Sequence, residues 1–86
     1  MKYLIVAFKS RNNLLSFVKM LRYNGVAVDI INTPRSISVS CGLSAKTDFR
    51  NINLIINKLS QINYESFIGI YLVERIGTQE QVIKIY

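Results

Sequence analysis

The sequence contains no histidine, and it has a single cysteine and a single proline among its 86 residues. Without histidine, a hydrolase that depends on a Cys-His pair is excluded. One cysteine excludes an internal disulfide framework and a zinc site built from several cysteines. The reactive chemistry that remains to this chain is that of one thiol, Cys41.

Long apolar runs are absent too. The longest one, residues 3–8, is far shorter than the roughly 20 residues that a membrane-spanning helix needs. No small-residue cleavage site follows it, so it does not predict a signal peptide. We therefore expect a soluble, cytoplasmic protein that makes no use of a membrane.

Acidic residues are few, five against eleven basic ones, and the formal net charge is +6. The basic residues are scattered along the chain, and no run of them is typical of a nucleic-acid-binding arm. This balance favours an anionic partner or an acidic protein surface. The length predicts one domain over residues 1–86. Half of the residues are hydrophobic, which predicts that this domain has a packed core.

The first half of the chain predicts a strand, a helix and a second strand. Residues 3–8 are apolar on both faces, which is typical of a central strand. Ser10 stands at an N-cap position before a helical apolar stripe, and Asn24-Gly25 predicts the end of that helix. Residues 26–31 predict the second strand, which the Thr33-Pro34 turn stops. The stripe consists of Leu14, Val18 and Leu21.

The second half predicts another helix and two strands. Asp48 can cap a helix that carries an apolar stripe at helical spacing. Residues 67–73 and 82–86 predict strands joined by a Gly77-Thr78 turn. The order β-α-β-β-α-β with an extra C-terminal strand predicts an α+β, ferredoxin-like sandwich. The second stripe consists of Ile52, Ile55, Ile56, Leu59 and Ile62.

Residues 36–47 allow two interpretations. Apolar side chains alternate with serine and glycine there, which is the pattern of a strand and would place Cys41 on the core face. A strand of that length is long for so small a domain, because strands of five or six residues are the commonest. We therefore favour a serine-rich loop through Ser40, with the strand beginning at Cys41 or Gly42.

The predicted topology brings the loop of residues 33–41 to the same sheet edge as the turn of residues 8–11. We expect Lys9, Arg11 and Arg35 around the sulfur of Cys41. The N-terminus of the helix that Ser10 caps adds partial positive charge, which favours a thiolate. Gly42 lets the backbone come close to whatever the sulfur meets.

The loop carries a resemblance to a known family. Phe8 and Ser10, followed by Thr33-Pro34-Arg35, Ile37-Ser38 and Ser40-Cys41-Gly42, resemble the small bacterial selenium/sulfur carrier-like proteins over about residues 3–62. The chain departs from the family where Met20 and Leu21 stand near an expected acidic residue. The part from Phe67 onward has no counterpart in this resemblance.

The resemblance implies a carrier or transfer protein rather than an enzyme, with no cofactor. Cys41 would accept sulfane sulfur or zero-valent selenium from a donor such as a cysteine desulfurase. Lys9, Arg11 and Arg35 would hold the anionic product. An acceptor enzyme, for example one that makes selenophosphate, would then take the terminal atom.

Two other interpretations compete with the carrier. In the first, Cys41 is a small buried hydrophobe, Ser10 is only a cap, and the domain is a non-catalytic binding or assembly module. Such a module could form a homodimer through the terminal hairpin or an exposed sheet edge. The second is RNA binding, which we do not expect because residues 36–46 carry no stacking aromatic side chain.

Overall fold

The computed structural model of the protein describes residues 2–37, 42–61 and 65–86. Within these ranges the chain is α+β, with two helices and one five-stranded sheet. The sheet order is β2-β3-β1-β4-β5, and all neighbouring strands are antiparallel. The elements are β1 (Lys2–Phe8), α1 (Arg11–Tyr23), β2 (Val28–Asn32), β3 (Leu43–Asp48), α2 (Ile52–Gln61), β4 (Phe67–Ile76) and β5 (Gln79–Lys84).

Strand β1 lies at the centre of the sheet, as its two apolar faces predict. Leu4, Val6 and Phe8 are buried on the side of the helices, where Leu14 of α1 and Ile55 of α2 join the same core. Both helices therefore pack on one face of the sheet. None of the helices in the described ranges is long and apolar enough to cross a membrane.

The opposite face of the sheet, which we call the open face, alternates with the core side chains along each strand. Ile5 and Val73 lie there, outside the helix-side core, and both are buried. The Lys46 ammonium lies 4.4 Å from the centre of the Tyr3 ring. The Tyr3 hydroxyl donates to Glu80 Oε2 at 3.3 Å. Aromatic and charged side chains thus lie alongside the apolar centre of this face.

Helix α1 begins and ends where the sequence predicts. The Ser10 hydroxyl accepts a hydrogen bond from the Asn13 N–H at 3.3 Å. At the other end, Gly25 has φ +79°, and the N–H of Val26 donates to the Leu21 carbonyl at 3.0 Å. This 6→1 bond is that of a Schellman motif. Because Val26 completes the helix end, β2 begins at Val28, later than the predicted residue 26.

A short 3-10 turn, which the sequence does not predict, precedes the second helix. Asp48 caps a 3-10 turn (Phe49–Asn51), accepting from the Arg50 N–H at 2.9 Å, and α2 follows directly. Ile55 is fully buried, and its stripe neighbours pack partly buried against the core, as predicted. Those neighbours are Ile52, Ile56 and Leu59; Ile62 lies outside the described residues.

The C-terminal hairpin confirms a strand beside β4, with longer strands than predicted. Ile76 pairs with Gln79 across a two-residue turn, and Gly77 has φ +63°. A positive φ at the first turn position alone is the pattern of a type II′ turn, whose twist suits a hairpin. The tight turn lets the last residue of β4 pair with the first residue of β5, so β5 begins at Gln79 rather than at residue 82.

The interpretation of residues 36–47 as one long strand is wrong at its start. Residues 35–37 form a turn in which the Ile37 N–H donates to the Pro34 carbonyl at 3.0 Å. Strand β3 begins only at Leu43. Proline favours such a turn because its φ is fixed near the value a turn requires. Residues 38–41, and with them Cys41, lie outside the described residues.

Candidate functional site

A cleft with a volume of about 460 Å³ opens at the end of the sheet where β1 and β2 finish and β3 begins. We call it the basic cleft, because two of the described residues that line it are cations. Strands β1 and β2 run parallel, since each is antiparallel to β3. The C-terminal ends of β1 and β2 therefore lie at the same end of the sheet as the first residues of β3 and of α1. The described lining residues are Lys9, Arg11, Asn32, Gly42 and Leu43.

Gly42 is closely packed at the end of the β2–β3 connection, directly before β3. Its carbonyl accepts a hydrogen bond from the Thr33 N–H at 2.9 Å. A β carbon at this position would lie 3.2 Å from the Phe8 carbonyl oxygen and 3.6 Å from Thr33 Oγ1. Two residues further along the chain, the buried Ser44 hydroxyl forms a hydrogen bond with Thr33 Oγ1 at 2.6 Å. The backbone beside Cys41 in sequence is thus packed against the end of β1.

The N-terminus of α1 borders the same cleft. Its first turn contains no acidic residue, and its first residue, Arg11, lines the cleft. The macrodipole places partial positive charge at this end of the helix. Helix and cations together give the cleft a positive potential, which is suited to an anionic group.

Ser66, which no local sequence pattern marks, directly precedes β4 and connects it to the start of α1. Its hydroxyl donates to Asn13 Oδ1 at 2.5 Å. Its carbonyl accepts from the Lys9 N–H at 2.9 Å. These two bonds fix the turn that carries Lys9 and Arg11, although Ser66 is far away along the chain.

The structure brings together three of the residues selected from the sequence. Lys9, Arg11 and Gly42 line the basic cleft. Ser10 lies between the two cations in sequence and serves as the helix cap. Arg35 is exposed on the turn of residues 34–37 and is not among the described residues that line the cleft.

Two lining residues, Asn32 and Leu43, were missed by the sequence analysis. They face each other across β2 and β3 where the connecting loop leaves the sheet. Their only sequence signal is position, since Asn32 directly precedes the Thr33-Pro34 turn. Within residues 2–37, 42–61 and 65–86, no three acidic or thiol side chains form a cluster that could hold a metal ion.

The chain matches the model of a known protein family. The family described as "Putative Se/S carrier protein-like" matches residues 2–70. The match covers most of the chain, includes β1 through the start of β4, and confirms the resemblance found in the loop. No curated protein and no solved structure matches the chain.

Proposed function

We propose that this chain, which belongs to the Se/S carrier-like protein family, carries one sulfur or selenium atom on Cys41. It would take the atom from a donor protein and deliver it to an acceptor enzyme, without itself being an enzyme. A persulfide carrier needs a reducing compartment, where thiols do not form stable disulfides, and we therefore assign it to the cytoplasm. The strand order supports a ferredoxin-like sandwich with β5 added at its edge.

The transfer is a thiol–disulfide type of exchange. The Cys41 thiolate attacks the terminal sulfur of a donor persulfide, R–S–SH. A new S–S bond forms on Cys41, the donor S–S bond breaks, and the donor leaves as R–S⁻. In the second step an acceptor thiolate attacks the terminal atom, and Cys41 is released as the thiolate. No external oxidant or reductant is consumed in either exchange.

The observation that carries this proposal is the basic cleft at Gly42. Cys41 directly precedes Gly42, and consecutive α carbons are about 3.8 Å apart. We therefore expect the thiol at or near the cleft that Lys9 and Arg11 line. Both the thiolate and the persulfide anion are negatively charged, so the positive potential there stabilises each of them.

The cationic side chains have separate roles in this proposal. Lys9 and Arg11 hold the persulfide or perselenide anion from the side of α1, and Ser10 keeps the helix N-terminus in place. Arg35 lies on an exposed turn and is suited to meet the acidic surface of a donor or acceptor. Gly42 keeps the approach to the sulfur free of a side chain.

The experiment is intact-mass analysis after incubation with a cysteine desulfurase and cysteine, or with selenocysteine in place of cysteine. The wild-type chain should gain the mass of one sulfur or selenium atom, which dithiothreitol then removes. Arg11→Gln and Lys9→Gln should lower the loaded fraction, whereas Lys19→Gln, an exposed lysine of α1, should not.

Cys41→Ser is the decisive control. It should remain unloaded under every condition, while keeping the fold of the parent chain. A wild-type chain that gains neither atom would contradict the carrier proposal. So would a Cys41→Ser chain that supports the activity of the acceptor enzyme as well as the wild-type chain does. The second result would favour the non-catalytic binding module.

A further inference from the structure

Strand β5 leaves one edge of the described sheet uncovered. It pairs with β4 on one side, and its residues are exposed apart from the partly buried Val82. The family match ends at Ile70, before β5, so this edge lies outside the part of the chain that the family describes. A free edge of this kind is able to pair with a strand of another chain.

The hydrogen bonds of the hairpin show which backbone groups are available. The Ile85 N–H donates to the Ile70 carbonyl at 2.9 Å. Because bonding alternates along an antiparallel strand, the odd-numbered residues of β5 bond to β4. The backbone N–H and C=O groups of Glu80, Val82 and Lys84 therefore point away from the sheet.

These three residues also place their side chains on the open face. Glu80 accepts from Tyr3 there, and the Lys84 side chain lies over Gly69. Along β5 the open face therefore presents an acidic, an apolar and a basic residue in that order. This pattern is self-complementary when the strand meets a copy of itself in antiparallel orientation.

We propose that β5 pairs with β5 of a second copy of this chain about a two-fold axis. In the register we assign, Val82 faces Val82 of the second copy at the axis. Glu80 then faces Lys84 of the second copy, and the symmetry repeats this ion pair on the other side. Each of these is a hydrogen-bonded pair, since all three residues have outward backbone groups. Opposite charges placed across two strands stabilise their pairing.

The same register covers apolar surface on the helix side of the sheet. Ile83 is 52% exposed there and would become a diagonal neighbour of Ile83 of the second copy. The other edge of the sheet is less suited to pairing. There the Val28 carbonyl of β2 already accepts from the Arg22 guanidinium at 3.0 Å. The two edges therefore differ, and β5 is the one with free backbone groups along the strand.

A charge exchange across the interface tests the register. Glu80→Lys and Lys84→Glu each place like charges opposite one another, and each should weaken self-association about tenfold or more. A mixture of the two variants restores both ion pairs, so it should form a heterodimer. The double variant Glu80→Lys/Lys84→Glu should self-associate like the wild type. Sedimentation equilibrium measures all four samples.

Matched controls separate the pairing from general effects of charge. Glu65→Lys and Lys19→Glu change the same charges at exposed positions away from β5 and should leave the dimer intact. Tyr3→Phe removes the hydrogen bond to Glu80 without changing charge, and it should also dimerise. Val82→Pro removes an outward N–H while leaving the bonds to β4, so it should be monomeric and folded by circular dichroism.

Three results would overturn the proposal. The first is a wild-type chain that stays monomeric at the highest concentration it reaches. The second is a dimer that the single charge variants or Val82→Pro leave unchanged. The third is a mixture of Glu80→Lys and Lys84→Glu that forms no heterodimer. None of these measurements involves Cys41, so their outcome is independent of the carrier proposal.

Discussion

Gly42 lies directly against the backbone of Phe8: a β carbon at position 42 would come to 3.2 Å from the Phe8 carbonyl oxygen. Phe8 ends the central strand, and its side chain is fully buried in the core between α1 and β4. The Phe8 carbonyl therefore has little freedom to retreat. This contact packs the residue before β3 against the end of β1.

We expect Gly42→Ala to lower the free energy of unfolding. Overpacking against a fixed neighbour costs about 1–3 kcal/mol, which exceeds the roughly 0.4–1 kcal/mol gained by restricting the unfolded chain. Urea denaturation measures the difference, and Ser36→Ala on the exposed turn is the control with no expected effect. A Gly42→Ala variant that is more stable than the wild type would show that the Phe8 carbonyl can move away from the added methyl group.

Ser10→Ala should destabilise the protein through the start of α1. The variant loses the hydrogen bond that the hydroxyl accepts from the Asn13 N–H, and the loss of an N-cap costs about 1 kcal/mol. Ser16→Ala, at an exposed position of the same helix, should be neutral or slightly stabilising because alanine has the higher helix propensity. Thermal and urea unfolding of both variants would check this, and equal destabilisation of the two would refute a capping role.

The alkylation of Cys41 by iodoacetamide should report on the basic cleft. In the folded protein we expect a fast reaction whose pH midpoint lies below the value of about 8.5 that is usual for cysteine. Arg11→Gln should raise the midpoint, because it removes a cation from the cleft, and added salt should raise it in part by screening. Lys19→Gln is the control of equal charge change. A thiol that reacts only on unfolding would instead indicate burial in the core.

The hydroxyl of Tyr3 should make stability fall at high pH. Burial raises the pKa of Tyr3 above its usual value of 10.0, and the charge of Glu80 and the hydrogen bond to it act in the same direction, against an opposing effect of Arg75. Below pH 10 the hydroxyl is protonated in both folded and unfolded chains, so its contribution is complete. Above pH 10 the unfolded chain ionises first, and that contribution is lost as the pH rises through the folded pKa.

Tyr3→Phe isolates this effect. The stability difference between wild type and Tyr3→Phe should shrink as the pH rises above 10, as followed by urea denaturation at each pH. Tyr23→Phe is the matched control, because Tyr23 is 91% exposed. An unchanged difference across this range would mean that Tyr3 ionises equally in both states.

Local signals in the sequence determined the type and the order of the helices and strands. The apolar residues 3–8 specify a central strand, Ser10 and Gly25 bound α1, and Gly77 turns the terminal hairpin. Each of these depends on periodicity or on the conformational preference of one residue, which a sequence displays directly. The motif around Cys41 likewise identified the family from the sequence by itself.

Only the tertiary structure decided which residues share the site with Lys9, Arg11 and Gly42. Asn32 and Leu43 line the cleft, and Ser66 fixes the turn before α1. No local pattern marks these residues, because their positions depend on the register of strands far apart in the chain. The same holds for β5, where the alternation of hydrogen bonds with β4, and not the sequence pattern, leaves the backbone of Val82 facing outward.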